Sequence, residues 1–264
     1  MQLTVLVDNN TLIDRYYLGE PGVAYYLEDG DVRILFDVGY SDIFLRNAQA
    51  LGIDLSRLQQ VVLSHGHNDH TRGLLWLSEQ EYFSELQLLA HLDALKPKQF
   101  AGEAIGAPFT AQQLQEKCRL RLSKEPVWLT KRLVFLGEIP TLNDFEQRHG
   151  FGSAEDPVDL VLDDTALVYR GSEGLFVITG CSHSGICNII EYAKKVCGEA
   201  IRFGGLSAAG IYLRSTTVWK KRLPIYRSII SGSCIRATAV PFKRKRQYMH
   251  RYLLKKLVLV RLLR

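Results

Sequence analysis

After Glu199 the chain contains no aspartate or glutamate at all. Residues 1–199 hold all 28 acidic residues against 17 Lys+Arg, a balance of −11, while residues 200–264 hold the other 16 Lys+Arg, a balance of +16. At the acidic frequency of the first part, about nine carboxylates would fall in the last stretch, so the net charge of +5 conceals a compositional break. Cysteine pairing is missing too. The five cysteines, at 118, 181, 187, 197 and 234, form no C-x-x-C pair and are odd in number, which argues against a disulfide framework and for reduced thiols in a cytoplasmic protein. No apolar run approaches the roughly 20 residues that span a bilayer. The N-terminus, Met1 to Asp8, has no basic leader and no long apolar core, so it reads as a first strand rather than a signal peptide. With 47% hydrophobic residues, 264 residues can bury the core of one enzyme-sized domain.

Histidine is scarce as well, with seven in the chain, yet three of them fall within six positions. His65, Gly66, His67, Asn68, Asp69 and His70 form H-x-H-x-D-H. Imidazole and carboxylate suit Zn²⁺ first, with Mn²⁺ or Fe²⁺ as alternatives, and a site short of a full protein ligand set keeps a position for water. The apolar run Val61-Val62-Leu63 before the cluster predicts a buried strand, and helical spacing sets in from Thr71 through Trp76 and Leu77. The cluster therefore belongs to a loop at a strand end. His65 and His67, two apart in extended backbone, project to one side and can grip one ion; Asp69 and His70, on the next turn, can reach a second.

Other candidates are less sharply marked. Leu175 to Thr179 reads as a strand and Ser184 to Val196 as a helix with Ile186, Ile189, Ile190 and Ala193 on one face, which puts His183 at another strand-to-helix junction. Asp37, at the end of the Ile34-Leu35-Phe36 run, is either a turn cap or a hydrogen-bonding support for the metal loop. Asp163 and Asp164 open an apolar strand; solvated turn residues are the default reading, and carboxylates orienting a ligand or substrate the alternative, with Asp164 the candidate. His149 and His250 carry no signal beyond solvent exposure.

The H-x-H-x-D-H loop after an apolar strand, with Phe36-Asp37-Val38-Gly39 upstream, resembles the metallo-β-lactamase superfamily. The segments Leu6-Val7-Asp8-Asn9-Asn10-Thr11, Leu51-Gly52-Ile53-Asp54, Gly137-Glu138-Ile139-Pro140, Asp163-Asp164-Thr165-Ala166-Leu167 and Gly180-Cys181-Ser182-His183-Ser184-Gly185 resemble, in order, its dihydropterin ribofuranosyl-aminobenzene phosphate synthase-like branch, over about residues 1–198. The resemblance implies an α+β fold, the four-layer αββα sandwich. It implies His65, His67 and His183 as ligands of one divalent metal, Asp69 and His70 as ligands of a second, and His91 at a strand end facing substrate. It further implies a hydrolase using a metal-bound hydroxide oriented by Asp69, or a pterin/phosphate-type transferase, acting on a small molecule that is phosphorylated or ester-like.

The branch continues with a Gly-Gly-Phe-His-like strand and a Cys-His-Cys segment that supply late metal ligands. Here Gly204-Gly205-Leu206-Ser207 is only an echo, and no histidine follows before His250. The expected organisation is a metallo-β-lactamase-like domain over 1–199, with the C-terminal part of the second half of the sandwich missing or altered, followed by a basic segment over 200–264. A shifted reading frame accounts for that segment: codons ATT CGT GCC ACT GCN for Ile235 to Ala239 read Ser-Cys-His-Cys in the neighbouring frame. Rival readings make it disordered, a nucleic-acid-binding element with Tyr226, Tyr248 and Tyr252 in a nuclease-type protein, an amphipathic membrane-surface segment over 252–264, or part of an inactive homologue.

Overall fold

A computed structural model describes residues 1–11, 14–148, 150, 159–172 and 174–198, with the backbone alone of 203–208 and 235–237. The expectations for His149 and His250, and for the basic segment beyond the backbone of 203–208 and 235–237, lie outside the described residues. Among the described residues the chain divides into two units, the first built from residues 1–124 and 159–164, the second from residues 125–148 and from 165 to the end of the last described strand at 237.

The first unit is a six-stranded sheet in the order β1-β2-β3-β4-β5-β8: β1 (Gln2–Val7), β2 (Ala24–Asp29), β3 (Val32–Phe36), β4 (Gln60–Val62), β5 (Gln87–Ala90) and β8 (Arg119–Leu122). A small hairpin, β6 (Gln99–Phe100) and β7 (Glu103–Ala104), stands apart from it. The first three strands are antiparallel and the last three join in parallel. Parallel neighbours need a crossover, and α1 (Ile43–Ala50) supplies the one between β3 and β4. Its Phe44, Asn47 and Ala48 recur at helical spacing and are buried, Phe44 and Ala48 in a core with Leu6, Leu35, Val61, Leu63 and Leu88. Short helices α2 (Asn68–Thr71) and α3 (Leu74–Leu77) follow β4, and α4 (Ala111–Gln115) is started by a capping box between Thr110 and Gln113.

The second unit repeats this pattern. Its sheet runs β14-β13-β12-β11-β10-β9, with β9 (Val127–Trp128), β10 (Leu133–Phe135), β11 (Ala166–Gly171) and β12 (Gly174–Thr179) antiparallel, and β13 (Phe203–Ala208) and β14 (Ile235–Ala237) parallel. Helix α5 (Ile186–Cys197) lies between β12 and β13, and its Ile186, Ile189, Ile190, Ala193 and Cys197 bury one face with Val134, Val168 and Val177. Each unit thus contributes a sheet and its crossover helix, the α+β composition expected. The echo segment Gly204 to Ser207 does form strand β13, because ladder hydrogen bonds are made by the backbone and do not require the branch's histidine. No helix among the described residues is long and apolar enough to cross a membrane.

One polar side chain fixes the entry to the first unit. Buried Asn47 donates to the carbonyls of Leu6 (2.7 Å) and Leu18 (2.8 Å) and accepts from the Leu18 N–H (3.0 Å). Asn47→Ala leaves those groups without their partner, and we expect a loss of about 2–4 kcal/mol in denaturant unfolding, from several buried polar groups each costing about 1–3 kcal/mol. A loss below about 1 kcal/mol would show that the 14–22 loop is held by other contacts.

Candidate metal centre

In a parallel stack the C-terminal ends of adjacent strands come together, and Phe36, Val62 and Leu89 are register partners across β3, β4 and β5. The residues that follow them, Asp37, the 63–67 loop with the first turn of α2 that carries Asp69 and His70, and His91, are therefore gathered at one sheet edge, the edge at which open α/β sheets place their ligands. Backbone bonds from Asp37 N to Val62 O and Leu63 N to Leu89 O extend the ladder into the loop. Asp37 adopts φ +57°, a left-handed conformation that Asp tolerates better than most side chains, and this turns its carboxylate onto the loop.

That carboxylate is fully buried and organises the imidazoles. Oδ1 accepts from the Ser64 N–H (2.7 Å), and Oδ2 accepts from Ser64 Oγ (2.6 Å) and from His70 Nδ1 (2.7 Å). An ionised carboxylate offers no proton, so His70 donates from Nδ1 and its lone pair sits on Nε2. Ser64 spends its hydroxyl proton on Asp37 and so accepts from His65 Nδ1 (2.9 Å), which puts the lone pair of His65 on Nε2 as well. His65 Nε2 lies 3.0 Å from His67 Nδ1, and His70 Nε2 lies 3.6 Å from Asp69 Oδ2. The His65 ring centroid is 4.6 Å from that of His67 and 4.2 Å from that of His70. Four candidate ligands are thus drawn together as the sequence spacing suggested.

Donor chemistry and spacing fit a cation. Two nitrogens bound to one tetrahedral Zn²⁺ at about 2.0–2.1 Å stand roughly 3.3 Å apart, close to the His65–His67 separation. The carboxylate–histidine pair Asp37–His70 is the support that metal-ligating imidazoles characteristically have. Asp37 is therefore a hydrogen-bonding support of the loop, one of the two roles its sequence position allowed.

Two further carboxylates differ from their default reading. Asp163 and Asp164 are not solvated turn residues; both are fully buried. Asp163 Oδ2 accepts from the Gly66 N–H (2.7 Å), and its Oδ1 accepts from Lys98 Nζ (2.9 Å), which also donates to Asp159 Oδ2 (2.8 Å). Burial alone would push the Lys98 pKa down, but Asp163 and Asp159 outweigh it and hold the ammonium above its ordinary value. Asp164 follows in the same turn, its N–H donating to Val161 O. His91 is fully buried and its Nδ1 accepts from the Asp93 N–H (3.1 Å). In the second unit His183 is partly buried in the 180–185 loop between β12 and α5, where Ser182 (φ +61°) and Gly185 (φ +89°) take left-handed conformations.

Sequence reasoning passed over Ser64, Lys98 and the role of Asp163. A serine next to a metal motif and a lysine in Lys96-Pro97-Lys98 carry no distinguishing pattern, since lysine is ordinarily a surface residue. Glycine spacing left a faint trace. A Cβ at Gly22 would strike the Asp69 carbonyl and one at Gly73 the Val38 carbonyl, so both glycines mark where backbone closes on the loop.

Residues 18–196 match the model of the metallo-beta-lactamase superfamily. An uncharacterized protein of Methanocaldococcus jannaschii is 32% identical over 213 residues, which cover 79% of this chain and 80% of that one. The 7,8-dihydropterin-6-methyl-4-(beta-D-ribofuranosyl)-aminobenzene-5'-phosphate synthase of the same organism is 32% identical over 181 residues, covering 63% of this chain and 61% of the synthase. The crystal structure of Tm1679, a metal-dependent hydrolase of the beta-lactamase superfamily, aligns with a TM-score of 0.78 at 27% identity over 96% of this chain and 93% of its own. The fold, the match across residues 18–196 and the relatives agree: this chain belongs to the metallo-beta-lactamase superfamily.

Proposed function

We propose that the chain is a metal-dependent hydrolase of a small phosphorylated or ester-like molecule, with transfer to a dihydropterin, as the synthase relative's name describes, as the variant chemistry. The observation that carries this reading is the pair of ring nitrogens, His65 Nε2 and His67 Nδ1, held 3.0 Å apart beside Asp69 and His70. His65 and His67 would hold one divalent ion, Zn²⁺ or else Mn²⁺ or Fe²⁺, with His183 as a third imidazole on the strength of the Gly180 to Gly185 motif; Asp69 and His70 would hold a second. When bound, such ions supply Lewis acidity and lower the pKa of coordinated water to about 7.

The chain's own residues set the rest of the chemistry. Asp37 and Ser64 fix the tautomers of His70 and His65, so both rings offer Nε2 without rearrangement. The Asp69 carboxylate is about one-third exposed, unlike the buried imidazoles, and can orient an incoming water and take up its proton. Both carboxylate and imidazoles stand on a loop clamped at Val38, Gly39 and Gly73, so the donors are placed before substrate arrives.

The compositional break after Glu199 follows closely on the end of the family match at residue 196, and this favours the shifted reading frame for residues 200–264. The nucleotide sequence should then encode Ser-Cys-His-Cys one base out of frame across Ile235 to Ala239; any other codons there would exclude it. A salt-dependent affinity for RNA would instead favour the nuclease reading.

Purified protein should lose its metal in the His65→Ala/His67→Ala double variant, by elemental analysis, and full retention would place the site elsewhere. Asp69→Ala should lower turnover by about 10²–10⁴-fold on whichever of phosphodiester, thioester, lactam and pterin-pyrophosphate substrates is active, with metal partly retained. Unchanged turnover would remove Asp69 from the chemistry. Asp37→Asn keeps the shape and tolerates φ +57°, so the fold should stand while metal affinity falls about 10–100-fold. An unaltered affinity would show that Asp37 serves the turn alone.

A further inference from the structure

One buried ammonium has no part in the chemistry above. Lys98 is 6% exposed and reaches its two carboxylates through a stem packed on the metal loop, where a Cβ at Gly66 would meet Lys98 Cε and the Ala94 carbonyl. Gly66 is the residue between His65 and His67. Its neighbours leave no room for a side chain, so the position must be glycine, and glycine is the residue whose backbone is least restrained by itself. An unrestrained peptide there would let His65 and His67 turn independently. The Gly66 N–H, however, donates to Asp163 Oδ2 at 2.7 Å, and Asp163 is in turn held at Oδ1 by Lys98 at 2.9 Å, with Asp159 on the same ammonium at 2.8 Å.

We propose that Lys98 and Asp163 are positioning residues that lock the Gly66 peptide and so hold His65 and His67 at metal-binding separation, an inference that rests on reading these two imidazoles as ligands. The geometry accounts for each member. A charged acceptor gives the Gly66 N–H a stronger bond than a neutral one, so the peptide plane is fixed from outside the loop. A buried carboxylate needs a compensating charge, and Lys98 provides it from a segment that has no ligand of its own. Burial of Lys98 is then a requirement of the metal loop and not an accident of core packing. The neighbouring pair Lys96–Asp93 gives the contrast: Lys96 is 68% exposed and meets Asp93 at the surface.

The test compares wild type with Asp163→Asn, Lys98→Met, the Lys98→Met/Asp163→Asn double variant and Lys96→Met as a surface control. Two quantities are read: exchange of the Gly66 amide in the metal-free protein by NMR, and affinity for added Co²⁺ followed by its visible absorption, which reports coordination geometry. Asp163→Asn keeps the side-chain shape but leaves a neutral carbonyl oxygen for two donors. Gly66 exchange should quicken by about tenfold or more and Co²⁺ affinity should fall about 10–100-fold, the usual consequence of losing a support behind a metal ligand. Lys98→Met should also lower the melting temperature by stranding the fully buried Asp163 charge; the double variant, in which only the part-exposed Asp159 carboxylate loses its partner, should recover part of that stability but not affinity. Lys96→Met should match wild type. Failure of wild type to take up Co²⁺ overturns the ligand reading beneath the proposal. Wild-type uptake with unchanged Gly66 exchange and unchanged affinity in Asp163→Asn and the double variant overturns the proposal itself.

Discussion

The buried Asp37 carboxylate, accepting at once from Ser64 N, Ser64 Oγ and His70 Nδ1, is the contact on which the rest of the site depends. An ionised carboxylate out of water is costly unless it is hydrogen-bonded, and three donors at 2.6–2.7 Å meet that cost. Because the donors belong to the loop after β4, the same bonds that stabilise the charge define where the loop lies. Because two of them are side chains, they also define which nitrogen of His65 and of His70 carries a lone pair. Sheet register, turn conformation and imidazole chemistry therefore meet in one residue, whose φ of +57° is the backbone strain accepted for that arrangement.

A second restraint acts on the loop through other partners. Asp37 and Ser64 act on the outer imidazoles, His70 and His65, whereas Lys98 and Asp163 act on the peptide between His65 and His67. Asp69 belongs to neither set, and its side chain stays about one-third exposed. Buried, hydrogen-bonded imidazoles beside one accessible carboxylate are the arrangement that the proposed function requires, with positioning and proton transfer as separate tasks.

Much of this was legible in the sequence because it lies in local patterns. Short apolar runs ending in Asp37 and before His65, and the run Leu175 to Thr179, form strands in the described structure; the apolar face of Ile186, Ile189, Ile190 and Ala193 forms α5, though the helix starts at Ile186 rather than Ser184. The motif marked the loop without help from the fold. What stayed hidden is non-local. Lys98 and Asp163 are 65 positions apart, and Gly66 and Asp163 are 97 apart. A buried lysine has the same letter as an exposed one, and only the fold shows that it is paired. For the same reason Asp163 and Asp164, adjacent polar residues before a strand, suggest a solvated turn until the closing segment 159–164 is seen packed within the first unit. Composition could mark the break after Glu199, but not which backbone segments beyond it would find a ladder; β13 and β14 do so through main-chain bonds.

Every role proposed for the loop requires His65 and His67 to converge on one metal ion. X-ray absorption at the zinc edge, on protein reconstituted with a single equivalent of Zn²⁺, addresses it directly. The expected result is a nitrogen/oxygen shell at about 2.0–2.1 Å with outer-shell scattering from at least two imidazole rings, and loss of that imidazole signature in the His65→Ala/His67→Ala variant. A zinc shell with no imidazole contribution, or one that the double variant leaves intact, would contradict it.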